Sequence, residues 1–124
     1  MKGRSKFETS VMELLDTNGV SYEYETERIS FTQPEKKRSY IPDIILTKML
    51  GDKMYIELKG KFDRDAQQKM VLVKNEHPEL DIRLVFMRDN RMSKNTKTKT
   101  YSDWARQKGF PFAVGHIPEG WLEE

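Results

Sequence analysis

Cysteine is absent from the 124-residue chain. That single absence excludes disulfide scaffolds, thiolate zinc sites and thiol nucleophiles. Histidine is scarce as well. His77 and His116 are the whole complement, and neither has a partner at triad or metal spacing, so a His-rich centre is excluded and turn or capping positions are expected. No run approaches the roughly 20 apolar residues of a membrane span, and no signal-peptide core opens the chain. A reducing cytoplasm is the expected home, with no membrane partner. Internal repeats, low-complexity tracts and long linkers are missing too, so residues 1–124 are expected to form one domain. Nor is there an excess of one charge: 22 Lys+Arg face 20 Asp+Glu, a formal net charge of +2. Such a balance does not by itself announce a nucleic-acid ligand.

The charge that is present falls in blocks. Lys2, Arg4 and Lys6 open the chain, Lys36, Lys37 and Arg38 run together, and Arg88, Arg91, Lys94, Lys97 and Lys99 fill one stretch offset by Asp89. Glu119, Glu123 and Glu124 make the end acidic. Each block taken singly reads as a solvated loop.

Periodicity lays out the elements. Phe7, Val11, Leu14 and Leu15 recur at i, i+4, i+7 and i+8 and predict an amphipathic helix over 6–18, with Ser5 as N-cap, Glu8 at the third helical position and Asn18-Gly19 as its end. Residues 20–32 read as extended: Val20, Tyr22 and Tyr24 alternate with polar neighbours, and Ile29 and Phe31 resume on another register. Pro34 and residues 36–39 read as a polar interruption. Residues 40–47 and 53–59 predict two strands joined across Gly51-Asp52, a hairpin-type dipeptide. Asp63 or Asp65 caps a second helix that buries Ala66, Met70 and Val73 and stops before Pro78. Ile82, Leu84 and Phe86 alternate in a buried strand, and residues 88–99, without an apolar period, predict a basic loop. Thr100 to Asp103 read as a capping box for a short helix closed by Gly109, and residues 112–114 add a strand. The order αβββαβ followed by αβ predicts an α/β (α+β) fold, a mixed sheet flanked by helices.

One constellation carries chemistry. Side chains alternate along a strand, so Glu57 and Lys59 share a face about 6.6 Å apart, with Ile56 and Leu58 turned to the core. The turn at Gly51-Asp52 brings Asp43 alongside Glu57. Two converging carboxylates are hard oxygen ligands suited to Mg²⁺, with the Leu58 carbonyl as a further donor. Such a site activates water against a phosphodiester, and Lys59 would orient that water or stabilise charge on the phosphate. A plainer reading fits the same residues: Asp43 as a strand-start cap, and Glu57–Lys59 as a surface ion pair worth about 0.2–1 kcal/mol. Glu8 is likewise open, either as the partner of Ser5 in a capping box or as a carboxylate turned toward the sheet to complete a second metal site.

With these residues in place, the chain resembles the phage endonuclease I family, Holliday-junction resolvases of the PD-(D/E)xK nuclease superfamily. The resemblance runs from about Ser5 to Trp121. It rests on the Glu8 helix, Tyr40-Ile41-Pro42-Asp43, Glu57-Leu58-Lys59-Gly60 and Glu76-His77-Pro78-Glu79-Leu80-Asp81-Ile82-Arg83. It implies a restriction-endonuclease-like core and catalytic positions at Glu8, Asp43, Glu57 and Lys59, with Glu8, Asp43, Glu57 and Leu58 around the metal. It further implies Mg²⁺- or Mn²⁺-dependent cleavage of branched double-stranded DNA, with paired nicks across a four-way junction. The implied assembly is an intertwined homodimer in which Glu8 of one chain completes the other chain's site, residues 29–40 being the exchanged bridge. Two departures stand out: the stretch between Asp43 and Glu57 is longer than the family pattern, and no basic tail follows Glu124. DNA affinity would then lean on Arg4, Lys6, Lys36, Lys37, Arg38, Lys61, Arg64, Arg88, Arg91 and Lys94, and weaken steeply with salt. The same residues would also serve a restriction-like or repair nuclease acting on linear duplex, or persist in an inactive nucleic-acid-binding module.

Overall fold

Ser5 accepts a hydrogen bond from the N–H of Glu8 and starts helix α1, Lys6–Thr17, which buries Val11, Met12 and Leu15. The computed structural model describes residues 5–33, 36–92 and 99–124. Five strands follow α1: β1 Glu23–Tyr24, β2 Ile29–Gln33, β3 Lys36–Tyr40, β4 Ile44–Thr47 and β5 Lys53–Lys59. After them come α2 Arg64–Glu76, β6 Asp81–Phe86, α3 Tyr101–Lys108, β7 Phe112–Val114 and a short α4, Glu119–Leu122. The larger sheet has the order β1-β4-β5-β6-β7, antiparallel on the β1, β4, β5 side and parallel from β5 to β7. Helices lie on both faces, as expected for a mixed sheet of this kind.

Each face has its own core. Ile45, Tyr55, Ile82, Leu84 and Phe86 pack with Met70 and Val73 of α2, Trp104 and Ala105 of α3, and Ile29, Phe31 and Tyr40. On the other face Ile44, Leu46, Met54, Ile56, Leu58 and Val85 meet Val11, Met12 and Leu15 of α1 and Ile117. Central strands buried on both faces read as nearly continuous apolar runs, and β5 and β6 do so except at Glu57 and Arg83. Arg83 donates to Asp81 and to both carboxylate oxygens of Glu124, tying residue 124 to the start of β6.

Two expectations need correction. Residues 36–39 are not an interruption: with Tyr40 they form β3, which pairs with β2 in a separate two-stranded antiparallel sheet. Ile29, Phe31 and Tyr40 join the core, while Ser30, Thr32, Arg38 and Ser39 stay exposed, so it is pairing with β2 and not an apolar period that makes β3 a strand. The strand expected over 40–47 is divided, because Pro42 has no N–H for a ladder. Tyr40 therefore ends β3, and β4 restarts at Ile44. The αβββαβ order thus holds five strands where three were expected. Elsewhere Asp63 is the cap of α2, accepting from Ala66 N–H at 2.9 Å. Thr100 and Asp103 form the capping box of α3, and Gly109 closes that helix at φ 80°.

Candidate active site

The register of β4 with β5 places Ile44 opposite Ile56, and so Asp43 opposite Glu57. Asp43 is buried in the break between β3 and β4, where Leu58 N–H donates to its Oδ2 at 2.8 Å. That bond aims the carboxylate at the end of β5. Leu58 thus reaches Asp43 through its N–H, while its carbonyl was the expected metal donor. Glu57 is 7% exposed, and Lys59 Nζ lies 3.2 Å from its Oε2. The pair sits in a buried setting and not at the open surface of the plainer reading.

Glu8 projects from the first turn of α1. Its backbone satisfies the Ser5 cap, but its carboxylate accepts from the Tyr24 hydroxyl at 3.0 Å. Ligand-competent oxygens of Glu8, Glu25 and Asp43 all lie within 4.8 Å of one another, inside one chain. Glu25 was not anticipated. Its backbone adopts φ 54°, and its N–H donates to the Asp43 carbonyl at 3.1 Å. A non-glycine residue at positive φ is uncommon, and here the kink turns the Glu25 carboxylate inward. Nothing in the alternation of Tyr22, Glu23, Tyr24 and Glu25 separates the two acids beforehand.

Burial and like charge set the electrostatics. Burial first, then the charges of Glu57 and Glu8, push the Asp43 carboxyl up to about 8 against the pull of Leu58 N–H and Lys59. Burial also raises Glu57, opposed by Lys59 and Lys69. The Tyr40 phenol, wholly buried beside both acids, is held well above its ordinary value by burial and then by their charges. Tyr40 Oη and Glu57 Oε1 are both buried and face each other, the phenol helping to hold the carboxylate although the two fall outside good hydrogen-bond geometry. Converging hard oxygens and a buried acid raised by burial and by neighbouring carboxylates fit a divalent cation. Glu8, Glu25 and Asp43 would hold it, while Glu57, expected among the ligands, lies outside their 4.8 Å cluster and next to Asp43 across the strands.

The expected DNA contacts are distributed unevenly. Lys61 and Arg64 are exposed where the chain leaves β5, and Arg88 is exposed just past β6, whose continuation at Met87 N–H bonds the Lys59 carbonyl. These three therefore rim the strand ends that carry Glu57 and Lys59. Arg38 is exposed on β3, Lys6 on α1, and Arg91 pairs as an isolated bridge with Thr100. Lys36 and Lys37 open β3. Arg4 and Lys94 lie outside the described residues, as do Pro34 and residues 93–98 of the expected basic loop. Among the described residues no helix is long and apolar enough to cross a membrane.

The chain is similar to two phage nucleases. The Endodeoxyribonuclease 1 of Enterobacteria phage T3 is 35% identical over 121 residues, covering 98% of this chain and 77% of that protein. The Endonuclease I of Escherichia phage T7 is 31% identical over 121 residues, covering 98% of this chain and 78% of that protein. The family model described as Phage endonuclease I matches residues 2–124, and the chain belongs to that family.

Proposed function

We propose that this chain is a structure-selective, divalent-metal-dependent DNA endonuclease that hydrolyses phosphodiester bonds at four-way junctions and other branched DNA. The observation that supports this most is the register that sets buried Asp43 against Glu57, with Lys59 3.2 Å from the Glu57 carboxylate. The names of the T3 and T7 relatives describe DNA-cleaving enzymes, which favours DNA as the substrate. Mg²⁺, or Mn²⁺ in its place, supplies Lewis acidity and an activated water when bound. The protein's own groups do the rest. Leu58 N–H fixes the Asp43 carboxylate, and Glu57 keeps Lys59 at the site, where its ammonium donates to the attacking water or to the phosphate oxygen gaining charge. Lys61, Arg64 and Arg88 hold flanking phosphates at the rim.

Two sites are needed for paired nicks, and a symmetric dimer provides them. In the proposed assembly the β2–β3 hairpin opens, residues up to 33 cross to the second chain, and the partner's Glu8 takes the place that Glu8 holds here. Residues 29–40 are then the bridge.

A labelled four-way junction and its matched linear duplex, each incubated with Mg²⁺ and with EDTA, test the proposal. Selective, EDTA-sensitive cutting near the branch is the expected result, and Glu57→Ala should abolish it while junction binding persists. Equal or preferential cutting of linear duplex would instead make this a restriction-like nuclease. No cutting with Mg²⁺ or Mn²⁺, despite binding, would make it a binding module.

A further inference from the structure

Lys69 belongs to no motif in the sequence, yet α2 carries it to the site. Its ammonium lies 5.7 Å from the ring centroid of Tyr40 and 5.9 Å from that of Phe31, and the side chain is half-buried. The charges acting on it are those of Glu57, Lys59, Arg38 and Asp43, so it faces the site just described. Among the described residues no carboxylate approaches it within ion-pair distance, whereas Lys59 is engaged by Glu57 at 3.2 Å. The two cations are therefore held differently. A carboxylate occupies one of the three donors of the ammonium it holds and offsets part of its charge. A ring face positions an ammonium through its quadrupole and leaves the charge and donors available. The substrate of the proposed reaction is an anionic phosphodiester arriving at a cluster of carboxylates, and it is served by a second cation that no carboxylate holds within ion-pair distance among the described residues.

We propose that Lys69 is the substrate-facing cation of this site, donating to a non-bridging oxygen of the phosphate at which the strand is cut, with Tyr40 and Phe31 as its shelf. This rests on the nuclease reading above. The alternative is that Lys69 only offsets the charge of buried Glu57, a structural role that would leave no mark on DNA binding.

Full-length wild-type, Lys69→Met and Lys69→Arg proteins separate the two roles. Met keeps an apolar stem over the rings and removes the charge, and Arg restores it. Junction affinity is measured over a NaCl series in EDTA, and single-turnover cleavage in Mg²⁺. For Lys69→Met the slope of log affinity against log salt should fall by about one. Its cleavage rate should fall about a hundredfold at an unchanged melting temperature, a loss of the size seen when one transition-state donor is removed. Lys69→Arg should recover the slope and most of the rate. A Lys69→Met protein that keeps both the slope and the rate overturns the proposal. Loss of slope without loss of rate also overturns it, moving Lys69 to a neighbouring phosphate. If Lys69→Met fails to fold, Lys69→Gln is read by the same two measurements. A wild-type protein that binds the junction but never cuts sinks the nuclease reading, and the scissile assignment with it.

Discussion

Asp43 is where burial, two like charges and one backbone hydrogen bond compete, and burial with like charge wins. Its carboxyl ionises near 8 in the metal-free fold, against about 3.9 in an unfolded chain. Between those values the native state holds a proton that the unfolded state has released, so stability falls as pH rises through the window. Metal-free protein should therefore melt at progressively lower temperature from pH 5 to 8. Asp43→Asn, which cannot ionise, should flatten that dependence and raise the melting temperature at pH 8. Mg²⁺ should restore wild-type stability at pH 8 and do little for the variant. Thermal scans in EDTA and in Mg²⁺ check both claims, and a wild-type melting temperature that rises across the window would contradict the charge balance described. Asp43, Glu57 and Lys59 were legible in the sequence because strand period and one turn suffice to bring them together. Glu25 and Lys69 were not. Glu25 reaches the site through a positive φ and a long-range backbone bond, and Lys69 through the docking of α2, neither of which leaves a local pattern.

The β2–β3 hairpin depends on α2 for its edge. Glu76 accepts from Thr32 N–H at 2.9 Å, and His77 Nε2 lies 2.6 Å from the Ser30 carbonyl, so two side chains at the end of α2 cap two backbone groups on the outer edge of β2. Edge strands present such groups in a row and need them covered. The segment from Glu76 to Arg83, on which part of the family resemblance rests, thus has a structural role at its first two positions. Replacing both with alanine should cost about 1–3 kcal/mol in urea denaturation, at 0.5–1.5 kcal/mol per bond. A loss below about 0.5 kcal/mol would mean that water replaces both bonds. Thr100→Ala tests an end of a helix that was legible from sequence, and loss of that cap should cost about 1 kcal/mol. α1, α2, β5, β6 and α3 could be read because their caps and periods are local. β3 was hidden because the string Lys36-Lys37-Arg38-Ser39-Tyr40 offers an apolar residue only at its end, and its pairing with β2 supplies the rest.

At the scale of the whole molecule the open question is which chain supplies Glu8. Within one chain Glu8 already reaches Asp43, and α1, β1 and β2 are joined along the chain to the rest only through residues 34–35. Exchange between identical chains is a low-cost route to a dimer, because each interaction broken within one chain re-forms with the other. Sedimentation separates the forms first: an exchanged dimer runs at twice 14.7 kDa and a self-contained chain at 14.7 kDa. Complementation then decides where the site is assembled. Glu8→Ala and Glu57→Ala chains should each be inactive alone. If Glu8 acts within its own chain, every site in a mixture carries one lesion and nothing is cut. If it acts across chains, a mixed dimer places both lesions in one site and leaves the other intact. Unfolding and refolding the two together in equal amounts gives mixed dimers in about half of the population. Each would hold a single competent site, so the junction should be nicked on one strand without being resolved. Nicking in the refolded mixture, with none in either protein alone, would establish exchange. Silence from a mixture shown to contain dimers would return the complete site to the single chain.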